Sequence, residues 1–93
     1  MAHSNSARKR IRQNAKRRAR NRWRLRTMRS TIKTFLQKVA HGTTEEATEA
    51  FRACVRVIDR TAAKGVIHKN QAARRKSRLS ARLKAKKTAA AAA

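Results

Sequence analysis

Arginine and lysine dominate the side chains of this chain that could bind or transform another molecule. Its 93 residues include 27 Lys and Arg against 4 Asp and Glu, a formal net charge of +23. Arginine outnumbers lysine by 17 to 10. A guanidinium directs two N–H groups onto phosphate oxygens and stacks on exposed bases, whereas an ammonium is a point charge. The composition therefore predicts a polyanionic partner, most simply a nucleic acid.

The residue types needed for catalysis or metal binding are few. Glu45, Glu46 and Glu49 cluster where the start of a helix explains them, because the helix dipole favours anions there. Cys54 lies on an apolar stripe, which is typical of a small core residue rather than of a nucleophile. No pair of histidines has metal-ligand spacing, and no glycine-rich phosphate loop is present. We therefore expect no enzymatic activity, cofactor, metal or small-molecule substrate.

The charge is concentrated in two segments. Residues 1–40 hold 14 basic side chains and no acid, and residues 61–93 hold ten basic side chains and no acid. Residues 41–60 hold three Arg and all four acids, with Asp59 one helical turn after Arg56, the spacing of an intrahelical pair. A merely solvated face normally mixes both signs of charge. The two segments are better explained as surfaces for an anionic partner.

Two glycines divide the chain into three predicted helices. Gly42 and Gly65 stand where helix ends favour glycine, and Thr43 and Glu46 have the spacing of a capping box. The predicted helices cover about 6–41, 44–64 and 68–86, and their short links favour antiparallel neighbours. The expected fold is all-α, an antiparallel three-helix bundle in a single domain of residues 1–87. A low-complexity Ala tail follows at 88–93; it either extends the third helix or frays, and we assign it no function.

Apolar side chains recur at helical spacing and define the faces that pack. The stripes are Leu25, Met28, Ile32, Phe35 and Val39 in the first helix, Ala47, Phe51, Cys54 and Ile58 in the second, and Ala72, Leu79 and Leu83 in the third. The first stripe covers only the C-terminal half of its helix. The N-terminal half is basic on all sides and is expected to project from the bundle. We therefore expect the free protein to be partly or largely unfolded and to fold on its partner.

The two basic segments also carry the side chains expected to contact nucleic acid. In the third helix, Asn70, Arg74, Ser77 and Arg78 fall on the side away from Leu79, with Arg75 beside them. In the first helix, cations alternate with amides that can bind phosphate or sugar; the candidates there are Arg8, Asn14, Lys16, Arg17, Arg18, Arg20, Asn21 and Arg24.

Two residues have more than one reading. Trp23 lies about 150° around the helix from the apolar stripe, so it either stacks on a base, packs against the third helix or is simply exposed. His68 belongs either to an anion site at the start of the third helix or to that helix start as a structural residue.

Two alternatives share the charge pattern. A histone-like DNA-binding protein is one, although no helix-turn-helix, zinc finger or leucine zipper is visible. A membrane-active or organelle-targeting basic segment is the other, but the apolar face of the start contains only Ile11 and alanines. No apolar run approaches the roughly 18 residues of a transmembrane helix, so no membrane partner is expected. RNA is favoured over DNA because two separate basic surfaces suit a folded RNA.

The segment from Asp59 to Leu79 resembles a known family. Residues 64–79 read Lys-Gly-Val-Ile-His-Lys-Asn-Gln-Ala-Ala-Arg-Arg-Lys-Ser-Arg-Leu, a pattern specific to the bacterial small-subunit ribosomal protein S20 family. The start, Asn5-Ser6-Ala7 followed by Lys9, Arg10, Arg12 and Gln13, is also similar to that of the family. The resemblance covers about residues 2–84; Trp23 and the Ala tail depart from it.

The resemblance implies a three-helix bundle with a long first helix that binds 16S ribosomal RNA. Members bind this RNA directly and early in 30S assembly, low on the body of the small subunit, and clamp several RNA helices there. The resemblance further implies a cytoplasmic protein of the ribosome, with no homo-oligomer. Carried over by motif, the RNA contacts are Ser6, Lys9, Arg10, Arg12 and Gln13 in the first helix and Lys64, His68, Lys69, Asn70, Arg74, Lys76 and Ser77 around the third.

Overall fold

The computed structural model describes residues 4–92, which form three helices and, over that range, no strand. The helices are α1 (Asn5–His41), α2 (Thr44–Ala63) and α3 (Lys69–Ala92). The predicted all-α fold with a long N-terminal helix is therefore confirmed. The molecule measures 68 × 22 × 17 Å because α1 extends well past the other two helices. Residues 1–3 of the predicted domain and residue 93 of the predicted tail lie outside the described residues.

The link between α1 and α2 is held by short polar contacts. The Thr43 hydroxyl accepts a hydrogen bond from the Glu46 backbone N–H at 3.1 Å, which is half of the predicted capping box. The Glu46 carboxylate lies instead 3.5 Å from the Lys38 ammonium at the end of α1. Gly42 has an extended backbone, yet a Cβ there would lie 2.7 Å from the Glu46 carboxylate and 2.9 Å from the Lys38 carbonyl oxygen. Glycine is needed here because of that close approach.

Gly65 terminates α2 through its backbone conformation. Its φ is +76°, in the left-handed region that favours glycine. The Gly65 N–H donates to the Ala62 carbonyl at 2.9 Å, and the Val66 N–H donates to the Thr61 carbonyl at 3.1 Å. This pair of bonds is the Schellman motif, and it satisfies carbonyls that the helix end would leave free. The predicted stop at Gly65 is confirmed by this geometry.

The core lies between α2 and the C-terminal half of α1, with α3 closing it. Phe35 and Phe51 pack with their ring centroids 5.7 Å apart. The buried apolar residues are Met28, Phe35, Ala47, Cys54, Ile58, Ile67, Ala72, Leu79 and Leu83. Eight of these lie on the predicted stripes. The ninth, Ile67, lies on none of the stripes. It belongs to the link between α2 and α3, and its side chain is buried in the same core.

The three helices run up, down and up. Lys38 of α1 meets Glu46 of α2, and Asp59 of α2 meets Lys76 of α3, so α2 is antiparallel to both neighbours. At the far end the Lys86 ammonium donates to the Val39 carbonyl at 2.9 Å, joining α3 to the last turn of α1. The third helix runs past the predicted bound of about 86, because α3 continues to Ala92, and of the two possibilities for the tail the structure has the extended helix. Alanine has the highest helix propensity, so the tail extends the helix without needing a packed face.

Candidate nucleic-acid interface

The N-terminal half of α1, residues 5–23, carries its charge without an internal counterpart. All of its residues are exposed except the partly buried Ala7. Both ion pairs found in residues 4–92 lie elsewhere, between Lys38 and Glu46 and between Lys76 and Asp59. At its start the Ser4 hydroxyl accepts a hydrogen bond from the Ala7 N–H at 3.1 Å. This half is therefore a cationic rod presented to solvent on every side.

The predicted contacts on α1 lie along this rod. Arg24, which follows the rod directly, is half-buried. The other predicted contacts on α1 are exposed: Ser6, Arg8, Lys9, Arg10, Arg12, Gln13, Asn14, Lys16, Arg17, Arg18, Arg20 and Asn21. Trp23 is 62% exposed, so it does not pack against α3. Stacking of Trp23 on a base stays a prediction. Ile11, 58% exposed, is the other large apolar side chain on the surface of the described chain.

His68 begins α3 as its N-cap. Its ring Nδ1 accepts a hydrogen bond from the Asn70 N–H at 3.0 Å, and its carbonyl accepts from the Ala72 N–H at 3.1 Å. The cap uses one of the free N–H groups with which a helix start could otherwise bind an anion. Of the two predicted roles, the fold shows His68 as a structural residue that caps the start of α3. Its ring is exposed and does not pack on the bundle.

The outer face of α3 presents a second cationic surface. Lys69, Asn70, Arg74, Ser77 and Arg78 are exposed there. Arg75 is half-buried, and its Nε is buried without a hydrogen-bond partner within residues 4–92. Lys76 is half-buried and lies 2.9 Å from an Asp59 carboxylate oxygen. The expected pairing of Asp59 with Arg56 was therefore wrong, because the bundle brings a closer cation from α3.

A cleft lies between α1 and the end of α2, next to the C-terminal end of the cationic rod. Its volume is about 160 Å³, and it is lined by Arg24, Thr27, Val57, Arg60, Thr61 and Lys64. Arg24 and Lys64 were both predicted contacts, and the fold brings them together. Arg60 was missed, because its position near the end of α2 was explained by the helix dipole alone. The like-charged spacing of Arg60 and Lys64, one turn apart, was the signal available in the sequence.

The described part of the chain offers phosphate-binding groups rather than reactive ones. Over residues 4–92 no group of three or more His, Cys, Asp or Glu side chains could hold a metal ion. None of the three helices is long and apolar enough to cross a bilayer. What the surfaces present is guanidinium, ammonium, amide and hydroxyl groups, which bind phosphate and sugar.

A family model described as ribosomal protein S20 matches residues 2–84. The chain belongs to this family. The match covers α1, α2 and most of α3, with both cationic surfaces and the cleft, and it ends before the Ala-rich last turns of α3. The resemblance carried by residues 64–79 is confirmed.

Curated relatives agree with the family assignment over nearly the whole chain. A protein of Acinetobacter baumannii is 52% identical over 85 residues, which are 91% of this chain and 97% of the relative. A protein of Shewanella loihica is 48% identical over the same lengths. A protein of Aquifex aeolicus is 49% identical over 79 residues, covering 85% of this chain and 84% of the relative. Each is named small ribosomal subunit protein bS20.

Proposed function

We propose that this protein is a structural constituent of the small ribosomal subunit that binds 16S ribosomal RNA directly and stabilises its folding during 30S assembly. Membership of the S20 family and the name of its relatives support this role. The observation that carries the binding step is the unpaired cationic rod of residues 5–23. It acts in the cytoplasm as part of the ribosome, and it is not an enzyme.

Binding uses two surfaces of the same bundle. The rod of α1 lies along RNA phosphates, and the exposed face of α3 holds a second RNA segment. Phosphate contacts of this kind fix the position of the protein without reading sequence. The RNA contacts we propose are the residues predicted above, with Lys76 partly engaged by Asp59. Residues 1–87 act as one RNA-binding domain, and the Ala-rich end of α3 contributes no contact of its own.

The salt dependence of binding tests the extent of the phosphate contacts. If about 10 phosphates are neutralised, the logarithm of affinity for a 16S ribosomal RNA transcript falls with the logarithm of salt at a slope of about −7 to −9. A filter-binding or fluorescence titration from low to moderate salt measures this slope. A slope shallower than about −3 would contradict binding by two cationic surfaces.

Chemical footprinting separates a defined RNA site from general polycation binding. Protection confined to a few helices of the 16S transcript is the expected result. Random duplex DNA of equal length, titrated at matched salt, is the control. Equal affinity for that DNA, or diffuse protection of the RNA, would favour the histone-like alternative instead.

A further inference from the structure

The cleft between α1 and the end of α2 has an apolar floor although two of its six lining residues are threonines. The Thr27 hydroxyl donates to the Trp23 carbonyl at 3.0 Å, and the Thr61 hydroxyl donates to the Val57 carbonyl at 2.7 Å. Both hydroxyls are thus used by the preceding helical turn. Their O–H donors are therefore occupied, so the two threonines offer a bound group methyl carbons, as Val57 does, and hydroxyl oxygens that can only accept. The floor therefore favours a flat apolar surface over a polar one.

The rim of the cleft carries three cations and no acid. Arg24 comes from α1, while Arg60 and Lys64 come from the last turn and C-cap of α2. None of the three takes part in either ion pair found in residues 4–92. Arg60 and Lys64 lie one helical turn apart and repel each other. Three unpaired cations around an apolar floor favour an anion at the rim and an uncharged, flat group below it.

We propose that this cleft takes the base of one unpaired RNA nucleotide, with the flanking phosphates held by Arg24, Arg60 and Lys64. Sequence-tolerant RNA binding commonly uses bases that are splayed out of a helix and packed against a protein surface. A volume of about 160 Å³ lies below the roughly 300–1,000 Å³ of pockets that hold drug-sized ligands, so it suits a single ring system. The proposal rests on the RNA-binding function above and adds a nucleotide subsite to it.

Filling the cleft from an exposed position tests the base subsite. Thr27 is exposed, so Thr27→Phe places a ring in the cleft without entering the core. Thr34→Phe is the matched control: Thr34 is exposed on the same helix, its hydroxyl also donates to the carbonyl four residues before it, and it is not among the cleft residues. We expect Thr27→Phe to weaken binding to the 16S transcript about tenfold, the size of one base contact, with an unchanged salt slope. Thr34→Phe should bind as the parent protein does.

The cationic rim is tested by removing one charge at a time from α2. Arg60→Gln should make the salt slope shallower by about 0.7–0.9, the loss of one phosphate contact. Arg56→Gln, one turn earlier on the same helix and outside the cleft, is the control of equal charge and should change the slope less. Equal changes in the two variants would show that Arg60 contributes only to the overall electrostatic attraction between protein and RNA, and would overturn the proposal.

Base-specific chemical probing identifies the nucleotide. It also distinguishes failure of the nucleotide subsite from failure of the proposed function. One unpaired base should be protected by the parent protein and by Thr34→Phe, and should regain reactivity with Thr27→Phe. If the parent protein protects defined RNA helices but Thr27→Phe matches Thr34→Phe in affinity and protection, the nucleotide subsite is wrong while the proposed function stands. If the parent protein protects no defined region, the proposed function itself fails.

Discussion

The ammonium nitrogen of Lys76 lies 2.9 Å from Oδ1 of Asp59 and so joins α3 to α2. The two side chains are 37% and 52% exposed, so the pair is screened by solvent and stabilises the bundle by at most about 1 kcal/mol. Its larger effect is on the charge pattern. Lys76 belongs to the motif from which RNA contacts were predicted, yet the Asp59 carboxylate already neutralises part of its charge. Neighbouring Arg74 and Arg78 are exposed and have no such partner within the described residues.

Lys76 is therefore expected to position α3 more than to bind phosphate. Lys76→Met should change the salt slope of RNA binding less than Arg74→Gln, which should make it shallower by about 0.7–0.9. Asp59→Asn should release Lys76 and strengthen binding, because it also removes a negative charge beside the RNA surface. Titration of the 16S transcript at several salt concentrations measures all three. If Lys76→Met and Arg74→Gln reduce the slope equally, Lys76 is a phosphate contact despite its partner.

The His68 cap predicts a graded response to substitution. His68→Ala removes the acceptor for the Asn70 N–H and should cost about 1 kcal/mol at the start of α3. His68→Asn supplies another capping acceptor and should restore most of that loss. Hydrogen exchange of the first-turn amides of α3 in the RNA complex reports the cap directly. Should His68→Asn expose these amides as fully as His68→Ala does, the ring has a role other than capping.

The sequence was most informative where a local rule decides the backbone. Thr43 and Glu46 marked the start of α2, and Gly65 marked its end, because capping and a left-handed φ depend on residues only a few positions apart. The stripes likewise identified most of the core, since helical periodicity alone selects the buried face. The same periodicity predicted that the N-terminal half of α1 is exposed, because the apolar stripe of this helix begins only at Leu25.

Features that join separate helices could not be predicted in this way. Asp59 was assigned to Arg56 on its own helix, whereas the bundle brings Lys76 from α3 closer. The cleft was missed because Arg24 is 36 positions from Arg60, and only packing of α1 on α2 makes them neighbours. The end of α3 stayed undecided between about 86 and the Ala tail because alanines give no stripe by which to follow a helix. Each of these depends on distances between elements rather than on spacing along one of them.

Burial of Cys54 provides a probe of folding that is independent of RNA affinity. Burial raises the pKa of the Cys54 thiol from 9.0 to about 11. Because the thiolate is the reactive form, the thiol in the RNA complex at pH 9.5 should react about twentyfold more slowly than an unburied thiol from ionisation alone, and more slowly still because it is inaccessible. The raised pKa also means that the contribution of Cys54 to the free energy of unfolding is constant below pH 9 and decreases as the pH rises towards 11. A brief assay with a thiol reagent, with and without the 16S transcript, measures the difference.

The same assay distinguishes a folded from an unfolded free protein. If the free chain is partly or largely unfolded, its Cys54 should react faster than in the RNA complex, with a rate that approaches that of a denatured control as more of the core opens, and adding RNA should slow the reaction. Thiol protection that is complete without RNA would contradict folding on the partner. Cys54→Ala, which leaves no thiol in the chain, gives the background rate.

Residues 5–23 of α1 are the segment whose helical order depends most on RNA. They have no apolar face to bury, and their dense like charges oppose a compact free state. In the free protein at physiological salt, their amides should exchange with solvent at nearly unprotected rates, while those of residues 28–39, which pack on α2, should exchange more slowly. Binding of the 16S transcript should slow exchange in residues 5–23 at least tenfold, because phosphates then neutralise the charges that destabilise the helix.

Hydrogen exchange read by mass spectrometry resolves the two segments, and residues 28–39 serve as the internal reference. Strong protection of residues 5–23 without RNA would show that the rod is stable by itself, and that phosphate contacts do not impose its order.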